Sequence, residues 1–299
     1  TTINDSGAVY VFTKSNNVWQ QEAYIKASNT GADDHFGSSI SLSGDGKTLV
    51  VGAENEDGNS DAKSNSGAVY VFYKATSSWA QQAYLKPTYS DNDDQFGAFG
   101  ALDISDNGNI VAVGAVYEDS GETGFTGTGS DDTSANAGAA YIFTRSSSVW
   151  QQTQYIKADN TGAGDNFGTL SLSGDGTTLV VGAPLEDGTA SNAGAVYVFV
   201  YNGTSWSQEA YLKASNAEAD DELTGSVTDG DESLVISKDG LTIAVAAGGE
   251  DSNATGLNGL DSNNSSPDSS AVYVFKKANG AWGQEAYIKS DHSNHRFFG

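Results

Sequence analysis

Short apolar runs recur along this chain of 299 residues, separated by polar and glycine-rich segments. Within residues 36–86, SSISLS alternates small polar with apolar residues, TLVVGA follows the turn signal GDGK, AVYVF is continuously apolar, and SWAQQAYLK comes last. Alternation is typical of a strand with one solvated face, and a short continuous apolar run is typical of a strand buried on both faces. The pattern predicts four antiparallel strands in this unit, and no segment of the chain has the pattern of a helix.

The same unit returns at constant spacing. Its apolar phrase reads GAVYVF at 7–12, 67–72 and 194–199, GAAYIF at 138–143 and SAVYVF at 270–275. In all five copies the phenylalanine is followed after seven residues by a tryptophan and after seven more by a lysine. Ten residues after the lysine stand the pairs Phe36-Gly37, Phe96-Gly97 and Phe167-Gly168, with Leu223-Thr224 in the same place later on. Four-stranded units repeated about every 50 residues predict an all-β β-propeller; Ig-like sandwich domains need about 100 residues each, and a β-solenoid has shorter coils.

The repeats predict four complete blades and a half blade, in a single domain or fragment spanning 1–299. Complete blades are expected at about 36–86, 96–157, 167–213 and 223–289, and residues 7–26 supply only the third and fourth strands of the half blade. A further repeat is expected to start at 298–299. We expect the two missing strands of the half blade to come from beyond residue 299, in a larger ring, or from another chain, because unpaired strand edges accept strands.

The stretch FGSSISLSGDGKTLVVGAENEDG, followed by GAVYVF, resembles the FG-GAP repeat of integrin-α-like β-propellers, in the form found in bacterial surface and secreted proteins. Phe36-Gly37 and Gly52-Ala53 stand at the namesake positions. This resemblance implies an extracellular binding or adhesion module. A weaker resemblance, to TolB-like and lactonase-like propellers, rests on LSGDGKTL at 42–49 and ISKDGLTI at 236–243.

The integrin-type resemblance also implies Ca²⁺ in the hairpin between the first and second strands, bound by a loop of the form D-x-D-x-D-G-x-x-D. This chain has only SGDGK at 43–47, with Asp45 as its acid and Asp106, Asp175 and Asp239 as the equivalents. Most of the expected carboxylates are therefore missing, and we expect Asp45 and Asp175 to be turn residues.

The amino-acid composition narrows the range of binding partners that we expect. The 14 lysines and arginines against 39 aspartates and glutamates give a net charge of -25, which disfavours nucleic acid and anionic membranes and favours cations. The chain has no cysteine, so disulfides and thiol chemistry are excluded. No apolar run approaches the roughly 18 residues of a membrane helix, so no membrane insertion is expected. The many Gly, Ser, Asn, Thr and Asp residues predict a secreted prokaryotic protein, extracellular or at the cell surface.

Repeated acids lie in two sets of loops that the strand order places on one rim of the ring. Ca²⁺ takes six to eight oxygen ligands, and clustered Asp and Glu supply them, so these acids are candidate calcium ligands. The alternative is a solvated acidic surface in which some acids cap turns. The candidates between blades are Asp33, Asp34, Asp93, Asp94, Asp165, Asp220 and Asp221, and those between the second and third strands are Glu56, Asp57, Glu118, Asp119, Glu186, Asp187, Glu250 and Asp251. The inserted acids at 228–232 are a separate cation candidate.

Catalytic patterns are missing from the sequence: there is no H-E-x-x-H, G-x-S-x-G or Cys-His set. Every blade carries the same acids, whereas an active site normally breaks internal symmetry. We therefore expect a non-catalytic extracellular module that binds a protein or glycan on a cell or matrix surface.

One alternative is a structural subunit of an extracellular fibre or surface layer, self-assembling through the incomplete blade. Another is an enzyme, either lactonase-like or a propeller appended to a hydrolase. A non-repeated acidic pocket in the central channel would indicate it, and a channel lined only by the repeated strand residues would exclude it. The fourth-strand tryptophans and tyrosines are expected to pack between blades rather than to bind sugars.

Overall fold

The structure is a computed structural model that describes residues 3–58, 63–98, 100–188, 190–225, 233–259 and 261–291. In these ranges the chain forms nineteen β-strands and no α-helix. The acids predicted at 228–232 and the repeat start at 298–299 lie outside the described residues. The strands are β1 (Val9–Ser15), β2 (Val18–Ile25), β3 (Ile40–Leu42), β4 (Thr48–Ala53), β5 (Ala68–Lys74), β6 (Trp79–Leu85), β7 (Leu102–Ile104), β8 (Ile110–Ala115), β9 (Ala139–Ser146), β10 (Val149–Ile156), β11 (Thr169–Leu172), β12 (Thr178–Ala183), β13 (Ala195–Tyr201), β14 (Trp206–Leu212), β15 (Leu234–Ile236), β16 (Thr242–Ala247), β17 (Gly256–Leu257), β18 (Ala271–Ala278) and β19 (Ala281–Lys289).

Antiparallel pairing groups these strands into the blades that the repeats predicted. Blade one is β3–β6, blade two is β7–β10 and blade three is β11–β14, each a four-stranded sheet in chain order. Blade four contains β15, β16, β18 and β19, and β1 and β2 form the half blade. The sequence analysis did not predict β17, which adds a fifth strand at the outer edge of blade four by pairing with β19. No hydrogen-bonded strand pairing joins the half blade to blade four within the described ranges.

Successive blades pack face to face, and the alternation of β5 explains how. Tyr70 and Phe72 point to one face of blade one, called the tyrosine face here, and Val69 and Val71 point to the opposite valine face. The tyrosine face packs against the half blade, while the valine face packs against the tyrosine face of blade two. All four side chains are at most 3% exposed. The same arrangement recurs at the next two junctions, so the core of this array lies between its sheets.

The Phe-Gly pair sits at these junctions. Phe36 packs edge-on against Tyr70 and Phe72, with ring centroids 5.3 and 5.9 Å apart. At the junctions of blades one and two and of blades two and three, the glycine of this pair lies against the penultimate glycine of the preceding blade's second strand. A Cβ on Gly114, for example, would be 2.0 Å from the carbonyl oxygen of Gly168. The glycine of the Phe-Gly pair and the glycine of the Gly-Ala pair therefore allow the backbones of neighbouring blades to approach each other closely.

The fourth-strand aromatics only partly follow the packing prediction. Tyr155 and Tyr287 are buried, at 4% and 3% exposure, whereas Tyr24 of the half blade is 56% exposed. Within the described ranges, no helix is long and apolar enough to cross a membrane.

Candidate functional site

The glutamates between the second and third strands lie below the surface, each within 3% exposure, and each pairs with the lysine that ends the fourth strand. In each blade the hydroxyl of the fourth-strand tyrosine also donates to the same carboxylate, at 2.7–2.8 Å. These glutamates therefore tie the loop to the outer strand of their own blade. The pairs and their Nζ–Oε distances are Glu56–Lys86 at 3.2 Å, Glu118–Lys157 at 2.8 Å, Glu186–Lys213 at 2.6 Å and Glu250–Lys289 at 2.5 Å.

The interblade aspartates fall into a buried and an exposed set. Each buried one accepts a backbone N–H from three residues earlier at 2.6–2.9 Å, which closes the loop; these are Asp34, Asp94, Asp165 and Asp221. Burial raises the pKa of Asp94 to about 7 and the pKa values of Asp165 and Asp221 to about 6. The exposed set, Asp33, Asp93 and Asp220, has positive φ angles of 63–65°. The Asn65 side chain donates a hydrogen bond to Asp93, and the Asn192 side chain donates one to Asp220, each at 2.8 Å.

The remaining candidate calcium ligands hold the loops that contain them in a fixed conformation. Each accepts a backbone N–H from the far side of its loop at 2.7–2.8 Å; these are Asp57, Asp119, Asp187 and Asp251. Among the residues that the structure describes, no group of three or more Asp, Glu or His side chains is arranged to hold a metal ion. Calcium binding by these acids stays a prediction.

The hairpin acids behave as turn residues, with one correction. Asp45 accepts hydrogen bonds from the Ser43 hydroxyl at 2.7 Å and the Lys47 N–H at 3.0 Å, and the serine bond is the main cause that lowers the pKa of Asp45. In blade two the side chain that accepts the equivalent two hydrogen bonds is Asn107, not Asp106 as the alignment of the repeats predicted. Asp106 instead pairs with Lys238 of blade four at 2.7 Å.

The first strands of the four complete blades come together and line a cavity of about 230 Å³, called the central channel here. Its lining combines apolar residues such as Leu102, Leu170 and Leu234 with the polar side chains of Ser41, Asp103 and Ser171. Small-molecule sites are concave and combine apolar walls with a small number of fixed polar groups, and this cavity has both.

Asp103 is the one carboxylate among the described residues of these four inner strands. The Ser41 hydroxyl donates to its Oδ1 at 2.9 Å, and its own strand supplies the Ile104 N–H at 2.7 Å. Its Oδ2 accepts from the Leu172 N–H at 2.8 Å and the Ser171 hydroxyl at 3.3 Å. Donors from three blades thus fix one half-buried carboxylate beside the channel.

Sequence reasoning missed Asp103 because it compared acids that recur. The signal was present in the inner strands, where the middle positions read Ser41, Asp103, Ser171 and Val235. An acid at one of four otherwise uncharged equivalent positions breaks the symmetry of the repeat.

Comparisons with known proteins agree with the repeat and the fold. A family model described as the FG-GAP repeat matches residues 19–72 and 150–199. The sequence has no match among curated proteins. Among solved structures, the chain is similar to a protein proposed to be a 6-phosphogluconolactonase, from Bacteroides uniformis, and to the periplasmic gluconolactonase of Pseudomonas aeruginosa. Each is 15% identical, with a TM-score of 0.53 over 96% of this chain, which spans 66% of the length of either structure.

At this identity the likeness is one of fold, and it confirms the predicted all-β propeller architecture. The same finding contradicts the expectation that the chain is not an enzyme, because two propellers of like fold are named as lactonases. The catalytic motifs that the sequence lacks belong to other enzyme classes, so their absence says nothing about lactone hydrolysis. Residues 19–72 and 150–199 thus match the FG-GAP repeat, and the four-stranded antiparallel sheets give the chain a β-propeller architecture.

Proposed function

We propose that the chain hydrolyses a small cyclic ester of the sugar-acid type in its central channel, with Asp103 as the base that activates water. The observation that carries the proposal is the single symmetry-breaking carboxylate beside a cavity of about 230 Å³. Pockets for drug-sized ligands measure about 300–1,000 Å³, so this smaller cavity suits a monosaccharide-sized lactone. The lactonase names of two structures of like fold support the same reaction class.

The proposed reaction needs one water and no further reactant. The Asp103 carboxylate takes a proton from water as the water oxygen attacks the carbonyl carbon of the lactone. The ring C–O bond then breaks, and the ring oxygen takes that proton from Asp103 to become a hydroxyl group, which gives the open hydroxy acid. The hydroxyl groups of Ser41 and Ser171 hold the carboxylate in place for this proton transfer.

The test is hydrolysis of D-glucono-1,5-lactone and related aldonic lactones, followed by acid release at constant pH and corrected for the spontaneous rate. The wild-type chain is expected to accelerate at least one of these lactones. Asp103→Asn keeps the size of the side chain and is expected to lower kcat about 100-fold or more, the usual contribution of a general base.

Two variants separate loss of the base from loss of the fold. Asp103→Ser installs the residue that blades one and three already carry. It should still melt in one cooperative step, at a lower temperature because donors such as Ser41 and the Leu172 N–H lose their acceptor, and it should lose activity. Asp175→Asn changes an exposed turn acid away from the inner strands and should keep full activity. No acceleration of any lactone, or an Asp103→Asn variant as active as the wild type, would rule out the proposal.

We also propose that this activity lies outside the cytoplasm. The composition of the chain and the periplasmic location in the name of one similar structure support this placement. Fractionation of cells that express the native gene, with immunodetection of the chain, tests it, and recovery only with cytoplasmic markers would contradict it.

A further inference from the structure

A three-residue polar contact joins neighbouring blades near the ends of their outer strands. Lys277 Nζ and Trp282 Nε1 of blade four both donate to the Glu209 carboxylate of blade three, at 2.6 and 2.9 Å. The junction of blades one and two carries the same contact, with Arg145 and Trp150 donating to Gln82 at 3.1 and 2.9 Å. Among the described residues, the junction of the half blade and blade one has only the ion pair of Lys74 with Glu22, because Trp79 Nε1 has no hydrogen-bond partner there. We call the three-residue contact the blade clamp.

The sequence places the three members of the clamp at fixed positions in each repeat. The cation follows the phenylalanine of the apolar phrase by two residues, the tryptophan follows it by seven, and the acceptor follows the tryptophan by three. The junction of blades two and three has Tyr201, Trp206 and Thr153 at these positions, and a cavity of about 260 Å³ lies there instead. The clamp is therefore a specific feature of a junction and not a consequence of sheet packing alone.

Each end of the array keeps one half of a clamp. On the tyrosine face of the half blade, Lys14 and Trp19 stand at the cation and tryptophan positions, and Trp19 is 65% exposed. On the valine face of blade four, Glu285 stands at the acceptor position; its described ion pair is with Lys276 of the same sheet, at 3.4 Å and half exposed. The two halves have opposite charge.

The apolar parts of the two end faces match in the same way. Tyr10 and Phe12 of the half blade are 54% and 53% exposed, whereas their equivalents in the complete blades are at most 3% exposed. Val272 and Val274 at the other end are half-buried, whereas the equivalent valines of blade three are fully buried. At every interior junction these two kinds of face cover each other.

We propose that the tyrosine face of the half blade binds the valine face of blade four in a second copy of this chain, head to tail. Lys14 and Trp19 of one copy would hold Glu285 of the next and complete the clamp. A contact between two different surfaces of the same chain gives rings or open chains rather than a simple two-fold dimer. The net charge of -25 opposes association, so the contact depends on this local pair and the apolar faces.

Sedimentation velocity over a wide concentration range tests the proposal, at about 0.15 M salt, where the Debye length is about 8 Å. The mass is expected to rise with concentration from 31.0 kDa in whole multiples. Lys14→Glu and Glu285→Lys should each weaken association at least about tenfold, because like charges then face each other. Trp19→Ala should weaken it as well. Since all three positions are exposed, the variants should melt like the wild type in dilute solution, where the wild type is monomeric.

An equimolar mixture of Lys14→Glu and Glu285→Lys tests directly whether these two residues contact each other between copies. Each contact between unlike chains then pairs opposite charges again, so the mixture should regain the association of the wild type. Lys47→Glu, which makes the same charge change on an exposed hairpin turn, should associate normally. A monomer at every concentration would overturn the proposal, and so would charge variants that associate like the wild type or a mixture that stays monomeric.

Discussion

The buried lysine–glutamate pair of blade two allows a direct test of what the repeated acids do. The side chains of Lys157 and Glu118 are 0% and 4% exposed, and 2.8 Å separates Nζ from Oε2. Tyr155 donates to the other carboxylate oxygen at 2.8 Å. The half blade offers a matched control, because its Lys26 donates to the Ser6 hydroxyl at 2.7 Å and has no carboxylate partner among the described residues.

Lys157→Met leaves the Glu118 carboxylate buried without a counter-charge, which costs about 3–5 kcal/mol in other proteins. Burial lowers the pKa of Lys157, so the ammonium group already carries a desolvation cost, and we expect a loss near 3 kcal/mol. Lys26→Met removes hydrogen bonds only and should cost about 1 kcal/mol. The double variant Lys157→Met/Glu118→Gln removes both charges and should lie within about 1 kcal/mol of the wild type.

Urea unfolding followed by tryptophan fluorescence measures these differences, with midpoints compared at constant m-value. We expect the wild type, the double variant and Lys26→Met to have similar free energies of unfolding, and Lys157→Met to lie well below them. Equal losses for the two lysine variants would refute it, since the carboxylate partner would then contribute nothing.

Two further predictions concern the loops and the blade junctions. Burial raises the pKa of Asp94 to about 7, so the proton it holds stabilises the folded chain below about pH 4 and that stability is lost as the pH rises towards 7. Asp94→Asn should therefore gain on the order of 2 kcal/mol relative to the wild type between pH 4 and pH 8 in urea titrations, and parallel pH profiles would contradict this. Gly114→Ala places a Cβ 2.0 Å from the Gly168 carbonyl oxygen and should cost about 3 kcal/mol or more. Gly283→Ala meets nothing within 4 Å and should stay within about 0.5 kcal/mol, so similar melting temperatures for the two variants would count against the close contact.

The sequence predicted the blades because their signals are local and repeated. The apolar phrase, tryptophan and lysine stand at constant spacing, so each third and fourth strand could be assigned from a window of about 20 residues. The two-residue strand β17 lies in a loop without such a pattern and was missed for that reason.

The roles of the acids could not be read in the same way. Glu118 and Lys157 are 39 residues apart and meet only when the blade closes, so the glutamates appeared to be rim residues. Asp103 was overlooked because its partners, Ser41 and Ser171, lie 62 and 68 residues away on other blades. Both cases depend on long-range contacts that local pattern cannot supply.

A crystal structure of the chain with D-gluconate, the open product of the test lactone, addresses the central claim most directly. We expect gluconate to bind in the central channel, with its oxygens within hydrogen-bond distance of Asp103 and of the Ser41 or Ser171 hydroxyl. Gluconate bound only elsewhere, or an empty channel at millimolar gluconate, would contradict the claim that this cavity is the functional site.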